Sequence, residues 1–305
     1  MLTIGALGTD ALRARCRGAG LRFRMGEFSV CLHTRIDAVL VGVALLYADF
    51  ALLDEAAFID FPVTVERVPH PRRWLRAQVQ FRCDGHAPFL PLPLAQAFPL
   101  LEWGLNWCVS AHVHSHLVIH AAVLEKHGRA TILPAPPGSG KSTLCAALML
   151  RGWRLLSDEL TLIRLSDGHI VPLPRPVSLK NGSIGVIARF QANAVLSRPV
   201  TDTVKGTVAH LKPARASVES AALACRAATI VFPLYQAGAR TSMAPLAQAR
   251  AFMRVADNAF NYSVLGERGF DVLANVVDGA RCYAFTYSVL EQAVVEFDAL
   301  HARPS

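Results

Sequence analysis

The stretch 117–165 constrains this chain more than any other, because an apolar segment runs into a Pro/Gly loop and then into an apolar helix. Residues 117–124 and 129–133 read as strands separated by a turn at 125–128. The loop at 135–143, APPGSGKST, holds Gly138 and Gly140 where the backbone has to curl. Lacking Cβ atoms, these residues let successive N–H groups aim at one point. A helix over 141–151 adds its positive dipole end there. Gly152 closes that helix, and 153–157 reads as a further strand. Such a chain belongs to the α/β class, with an anion site at a strand-to-helix turn.

Residue types in the loop specify the anion. Strand, a string close to G-x-x-x-x-G-K-[ST], then helix predicts a nucleoside triphosphate with Mg²⁺, and ATP is the expected one. Pro137, Gly138, Ser139, Gly140, Lys141, Ser142 and Thr143 form the expected binding set. Lys141 reaches the β- and γ-phosphates, the Ser142 hydroxyl binds Mg²⁺, and Thr143 caps the helix or meets the α-phosphate. One position departs: Ala135 stands where the strict pattern has glycine, and its Cβ would resist a left-handed backbone.

Seventeen residues past Lys141 come Asp158 and Glu159. A helix of about three turns followed by a parallel strand is expected to return the chain beside the strand before the loop. Both strand ends then meet at one sheet edge, near the γ-phosphate. Asp158 is expected to join Ser142 at the Mg²⁺, leaving Glu159 or Asp158 to accept a proton from an attacking hydroxyl. A pair of solvated acids opening the hairpin around Asp167 and Gly168 is the plainer alternative.

Further candidates follow the same chemistry. His120, on the strand before the loop, could orient the nucleophile or contact phosphate, although a lone histidine on an apolar strand is more often a core residue. Arg175 and Lys180 follow the hairpin and could neutralise the transferring phosphoryl group; Lys205 and His210 are weaker versions of that idea. His112, His114 and His116 alternate, but only His112 and His116 would share a helix face, with no Cys or Glu to complete a metal set. Trp103 and Trp107, one turn apart, read as packing.

Residues 1–93 read as a smaller strand-rich N-terminal domain, 94–116 as a connecting helix, and 117–305 as the nucleotide-binding domain. The run 38–53 fits a buried helix or a strand pair equally well. Seven scattered cysteines without C-x-x-C exclude a disulfide framework and a cysteine zinc site. Residues 1–116 carry 11 Lys and Arg against 10 Asp and Glu, whereas 117–305 carry 20 against 13. Seven of the eight net positive charges therefore lie in the part that carries the loop rather than in a basic arm, which a polyanionic ligand or an acidic partner explains at least as well as nucleic acid does. No run reaches the ~18 apolar residues of a membrane span, and the expected compartment is the cytosol.

The segment HAAVLEKHGRATILPAPPGSGKST at 120–143, followed by SDE at 157–159, resembles the catalytic domain of HPr kinase/phosphorylase. It is most similar to the kinase A group of HPr-kinase-related proteins, whose core is like that of phosphoenolpyruvate carboxykinase. The likeness to that group extends over nearly the whole chain, with echoes at 98–108, 172–181, 206–213 and 251–262; likeness to the bifunctional enzyme covers about 117–181. It implies a P-loop kinase core, with His120 at the place of the family's histidine before the loop and Asp158 and Glu159 at its paired aspartates. The second aspartate is glutamate here, and LPRPVSLKN at 173–181 replaces the long glycine-rich signature. Neither the phosphorylase activity nor HPr as acceptor is therefore carried over.

These readings converge on an ATP- and Mg²⁺-dependent kinase acting on a hydroxyl, expected to be Ser or Thr of a small protein or peptide. A small-molecule kinase, a nucleotide-switched scaffold and, least favoured, a nucleic-acid-dependent ATPase are the competitors. Association between copies of the chain is left open.

Overall fold

The computed structural model describes residues 2–69 and 77–302. Its first layer comprises α1 (Thr9–Arg17), β1 (Leu21–Met25), β2 (Phe28–Thr34), α2 (Asp37–Leu46), β3 (Phe61–Arg67), β4 (Gln78–Cys83) and β5 (Leu92–Pro93). The strands form one sheet in sequence order, antiparallel except for β2 and β3, which α2 connects in parallel. Alternation in LRFRM buries Leu21, Phe23 and Met25 on one face of β1. The undecided run after Ile36 resolves as helix, because Val39, Leu40, Val43 and Leu46 recur at helical spacing and are all buried.

Helix α3 (Ala97–His112) packs into the same core through Leu101, Leu105 and Cys108. Gly104 lies so close to the Phe81 ring that a Cβ there would collide with it. Each buried leucine on this face contributes about 1.5–3 kcal/mol of apolar burial. The first layer thereby holds rigidly the helix that also carries Glu102, Trp103 and Asn106.

The larger sheet contains β6 (His116–Lys126), β7 (Arg129–Pro134), β8 (Arg154–Ser157), β9 (Leu160–Arg164), β10 (Ile170–Val171), β14 (Arg226–Tyr235), β15 (Ser242–Pro245) and β16 (Arg281–Tyr287). Their order is β10-β9-β6-β7-β14-β16-β15, with β8 also against β6. Between β7 and β8 runs α4 (Lys141–Leu150). A small antiparallel sheet of β11 (Val177–Lys180), β13 (Gly206–Leu211) and β12 (Val200–Thr203) stands beside it, with α5 (Gly182–Phe190) following β11 and α6 (Arg215–Glu219) following β13. The remaining helices are α7 (Gln248–Ala256), α8 (Tyr262–Leu265), α9 (Glu267–Asp278) and α10 (Leu290–Ala302).

Successive residues of one strand feed opposite cores. Leu133 joins Leu144, Leu148 and Phe297 beneath α4 and α10; Ile132 joins Ala251, Val255 and Leu273 beneath α7 and α9. The molecule is thus a mixed α/β structure with three sheets among the described residues.

One expectation of connectivity is corrected. β8 does not lie beside β7: both are antiparallel to β6 and flank it on opposite edges. The reason is the tight turn at His127 and Gly128, which folds β6 back against β7 and takes up that edge. The crossover through α4 therefore spans one strand. The ends of β7 and β8 still open on the same sheet edge, with the central part of β6 between them, because Ala121 pairs Pro134 and Val123 pairs Ser157.

Candidate nucleotide and phosphotransfer site

β7 ends at Pro134, and the loop curls through two residues with positive φ, Gly138 at 86° and Gly140 at 88°. Gly140 caps α4 in the left-handed region, where an L residue would be strained. A side chain there would also strike Tyr287. The Tyr287 hydroxyl donates to the Gly140 carbonyl at 2.9 Å, and the Tyr235 N–H donates to the Ser139 carbonyl at 2.8 Å. These two tyrosines, at the ends of β14 and β16, brace the curl from below; the sequence offered only their aromatic character. Ala135 carries no strain, for its φ is not positive and its methyl is buried. The departure from the strict glycine pattern is therefore accommodated without a left-handed backbone.

Pro137, Gly138, Ser139, Gly140, Lys141, Ser142 and Thr143 all line one cavity of about 1180 Å³. His120, Glu159, Lys180 and Lys205 line the same cavity. Lys141 is buried; its Nζ donates to the Asp158 carbonyl at 3.2 Å and lies 3.5 Å from His120 Nε2. The loop lysine, the β6 histidine and the acidic pair are thus gathered in one place, although they are up to 39 positions apart in the chain.

Asp158 and Glu159 interrupt what is otherwise a continuous run of β8 and β9 along β6. Their environments diverge. Asp158 is buried, accepts the Ser178 N–H at Oδ2 (3.1 Å) and lies close to the Ser142 side chain. Burial first, then the neighbouring Glu159 carboxylate, push its carboxyl up to about 6 against the pull of Lys141, Ser178 and Ser142. Burial acts in the same direction on Glu159, but Lys141, Lys180, His120 and Lys205 outweigh it and hold that carboxyl below its ordinary value. His120 Nδ1 stands 3.6 Å from Glu159 Oε2. Burial and then Lys141 depress His120 to about 4, so its imidazole is neutral near pH 7.

No protein-family model matches this chain, and no curated protein does. Among solved structures, the chain is similar to the Hpr(Ser) kinase/phosphatase from Coxiella burnetii. The two are 10% identical over 61% of this chain and 97% of that one, with a TM-score of 0.27. A superposition so loose establishes neither shared chemistry nor shared site residues.

The structure does not bring every candidate to the cavity. Arg175 is buried in an ion pair with Glu102 of α3 at 2.6 Å, and also donates to the Glu102 carbonyl and to Asn106 Oδ1. Burial pulls its guanidinium down, yet Glu102 and Tyr47 more than offset this and raise it. With both terminal nitrogens engaged, Arg175 is not the group that neutralises a transferring phosphoryl; that reading is corrected. His210 is likewise withdrawn, 1% exposed with its ring edge-on to Phe98. Lys205 does reach the cavity and sits over the Trp103 ring. Nor is His116 on a helix with His112, because it opens β6.

Proposed function

We propose that this chain is an ATP- and Mg²⁺-dependent phosphotransferase that moves the γ-phosphoryl group to a hydroxyl of a small protein or peptide. The observation that carries the reading is the convergence, on one cavity, of a glycine-curled loop bearing Lys141 and Ser142 with His120, Glu159, Lys180 and Lys205. A bare anion site would need no carboxylate there; a phosphotransfer site does.

The residues fit Mg²⁺. The ion takes hard oxygen ligands, keeps several waters and needs few protein groups when phosphates share it. Ser142 would hold the ion from the cavity side, and the buried Asp158 carboxylate, which does not line the cavity, would reach it through one of those waters. When bound, the ion would neutralise charge on the β- and γ-phosphates. Gly138 and Gly140 would offer backbone N–H groups to the phosphate chain, and Lys141 would supply a cation at its end. Glu159, kept ionised and facing the cavity, accepts the proton of the attacking hydroxyl; neutral His120 beside it orients that hydroxyl. Lys180 and Lys205 balance the charge that spreads over the transferring group.

Exposed apolar side chains favour a polypeptide acceptor over a small molecule. Phe260 is half exposed and packs edge-on against His120 at 5.9 Å; Val204 precedes Lys205; Leu234 and Tyr235 adjoin the loop. Such residues beside a polar cleft mark a surface that another chain covers. The cavity also exceeds the ~300–1,000 Å³ of ordinary small-molecule pockets, leaving room for an acceptor side chain beside a nucleotide. No helix among the described residues is long and apolar enough to cross a membrane.

The test is incubation of purified protein with γ-labelled ATP, Mg²⁺ and the products of neighbouring genes. Label transferred to a polypeptide by wild type but not by Glu159→Gln supports the proposal. Nucleotide uptake without any labelled acceptor would favour the switched scaffold instead.

A further inference from the structure

Behind Asp158, adjoining the large cavity at Glu159 and Ser178, lies a small chamber of about 20 Å³. Four residues on its wall have a buried polar atom without a hydrogen-bond partner in the protein: Trp103 Nε1, Asp158 Oδ1, Arg175 Nε and His210 Nε2. Asp158, Arg175 and His210 are each more than nine-tenths buried. Unpaired buried polar atoms are uncommon, and four around one small space need an explanation.

The chemistry of the four is complementary to one molecule. Trp103 Nε1–H and Arg175 Nε–H can only donate, and Asp158 Oδ1 accepts. His210 is held neutral, since burial pushes its imidazole down to about 4, and a neutral imidazole protonated on Nδ1 accepts at Nε2. Two donors and two acceptors on the residues lining one space match a water molecule, which accepts two hydrogen bonds and donates two. The volume agrees, because a site needs roughly 10–15 Å³ to seat one water. A cation is disfavoured by the guanidinium, and an anion by the Asp158 and Glu159 carboxylates on the same wall.

We propose that this chamber seats one ordered water that links Asp158 to Trp103, Arg175 and His210, making these three positioning residues for the carboxylate. The water completes a buried chain. Tyr47 donates to Glu102 Oε1 at 2.7 Å, and Glu102 Oε2 accepts from Arg175 at 2.6 Å. Arg175 Nε and the water then carry the chain to Asp158, beside Ser142 of the loop. The first layer thereby fixes the orientation of a carboxylate in the second, and Arg175 acts on the site through water instead of by touching a phosphate.

The water site stands independently of phosphotransfer; only its effect on turnover rests on that reading. A crystal structure that shows ordered solvent is expected to place one peak about 2.7–3.2 Å from each of the four atoms. A chamber without a peak, or Oδ1 bonded directly to His210 or Trp103, would overturn the proposal whatever the enzyme does. His210→Leu removes one acceptor and is expected to lose the peak, lowering turnover about 10- to 100-fold while ATP affinity and the melting temperature hold. His210→Gln, which keeps an acceptor, is expected to restore most of it. Where wild type shows no turnover, the phosphotransfer reading fails and the crystallographic peak alone decides the site. Loss of the peak in His210→Leu with unchanged turnover would reject the positioning role.

Discussion

Two spaces meet at the acidic pair, and they are opposites. One holds about 1180 Å³, is walled by the phosphate loop and three lysines, and opens outward. The other holds about 20 Å³ and is lined by Trp103, Arg175 and His210. Glu159 borders both, whereas Asp158 borders only the small one. The two residues form the bend between β8 and β9 and line different spaces, so two neighbouring carboxylates acquire opposite properties. Glu159 stays ionised under the lysines, and Asp158 is pushed toward protonation by burial and by Glu159. A reactive wall and its support are thus built from consecutive residues.

The largest effect should come from the open side. Glu159→Gln is expected to lower phosphotransfer about 100- to 10,000-fold with little change in ATP affinity, measured with labelled ATP and by calorimetry. Next in size is a structural break on the side of the small chamber. Glu102→Ala leaves Arg175 buried without its counter-charge and should cost about 3–5 kcal/mol in urea unfolding.

Asp158→Asn sharpens the comparison, since it should stabilise the fold while impairing Mg²⁺-dependent binding. A carboxyl raised from 3.8 to about 6 contributes stability that is complete below pH 4 and is lost as pH rises through 6. The asparagine variant should therefore be more stable than wild type at pH 8, on the order of 1–3 kcal/mol, with the gap closing between pH 6 and pH 4. Smallest is Tyr287→Phe, which removes one brace of the loop at Gly140. It should weaken nucleotide binding by about 0.5–1.5 kcal/mol, a few-fold change in affinity.

Local signals carried far in the sequence. The period-2 run of β1, the glycines at 138 and 140 and the apolar spacing of α4 each act over a few residues, and each element formed where its residues indicated. Lys141 and Glu159 meet because the crossover through α4 brings the ends of β7 and β8 to one edge, and His120 joins them from β6 between those strands. What escaped the sequence is non-local. Arg175 meets its counter-charge Glu102 73 positions earlier, so charge and spacing around Arg175 could not show that its guanidinium was already taken. The bracing tyrosines act through backbone carbonyls, and Trp103, read as packing, exposes its N–H to the chamber. The interposition of β6 between β7 and β8 depended on which edge a turn at His127 would occupy, a choice hydrophobic pattern does not encode.

The central claim is that the curl between β7 and α4 grips a triphosphate, and calorimetry of intact protein with ATP tests it most directly. Saturable, Mg²⁺-dependent binding that Lys141→Ala abolishes without unfolding the chain is the expected result. Heat indistinguishable from dilution for both ATP and GTP, on folded wild-type protein with Mg²⁺ present, would contradict it.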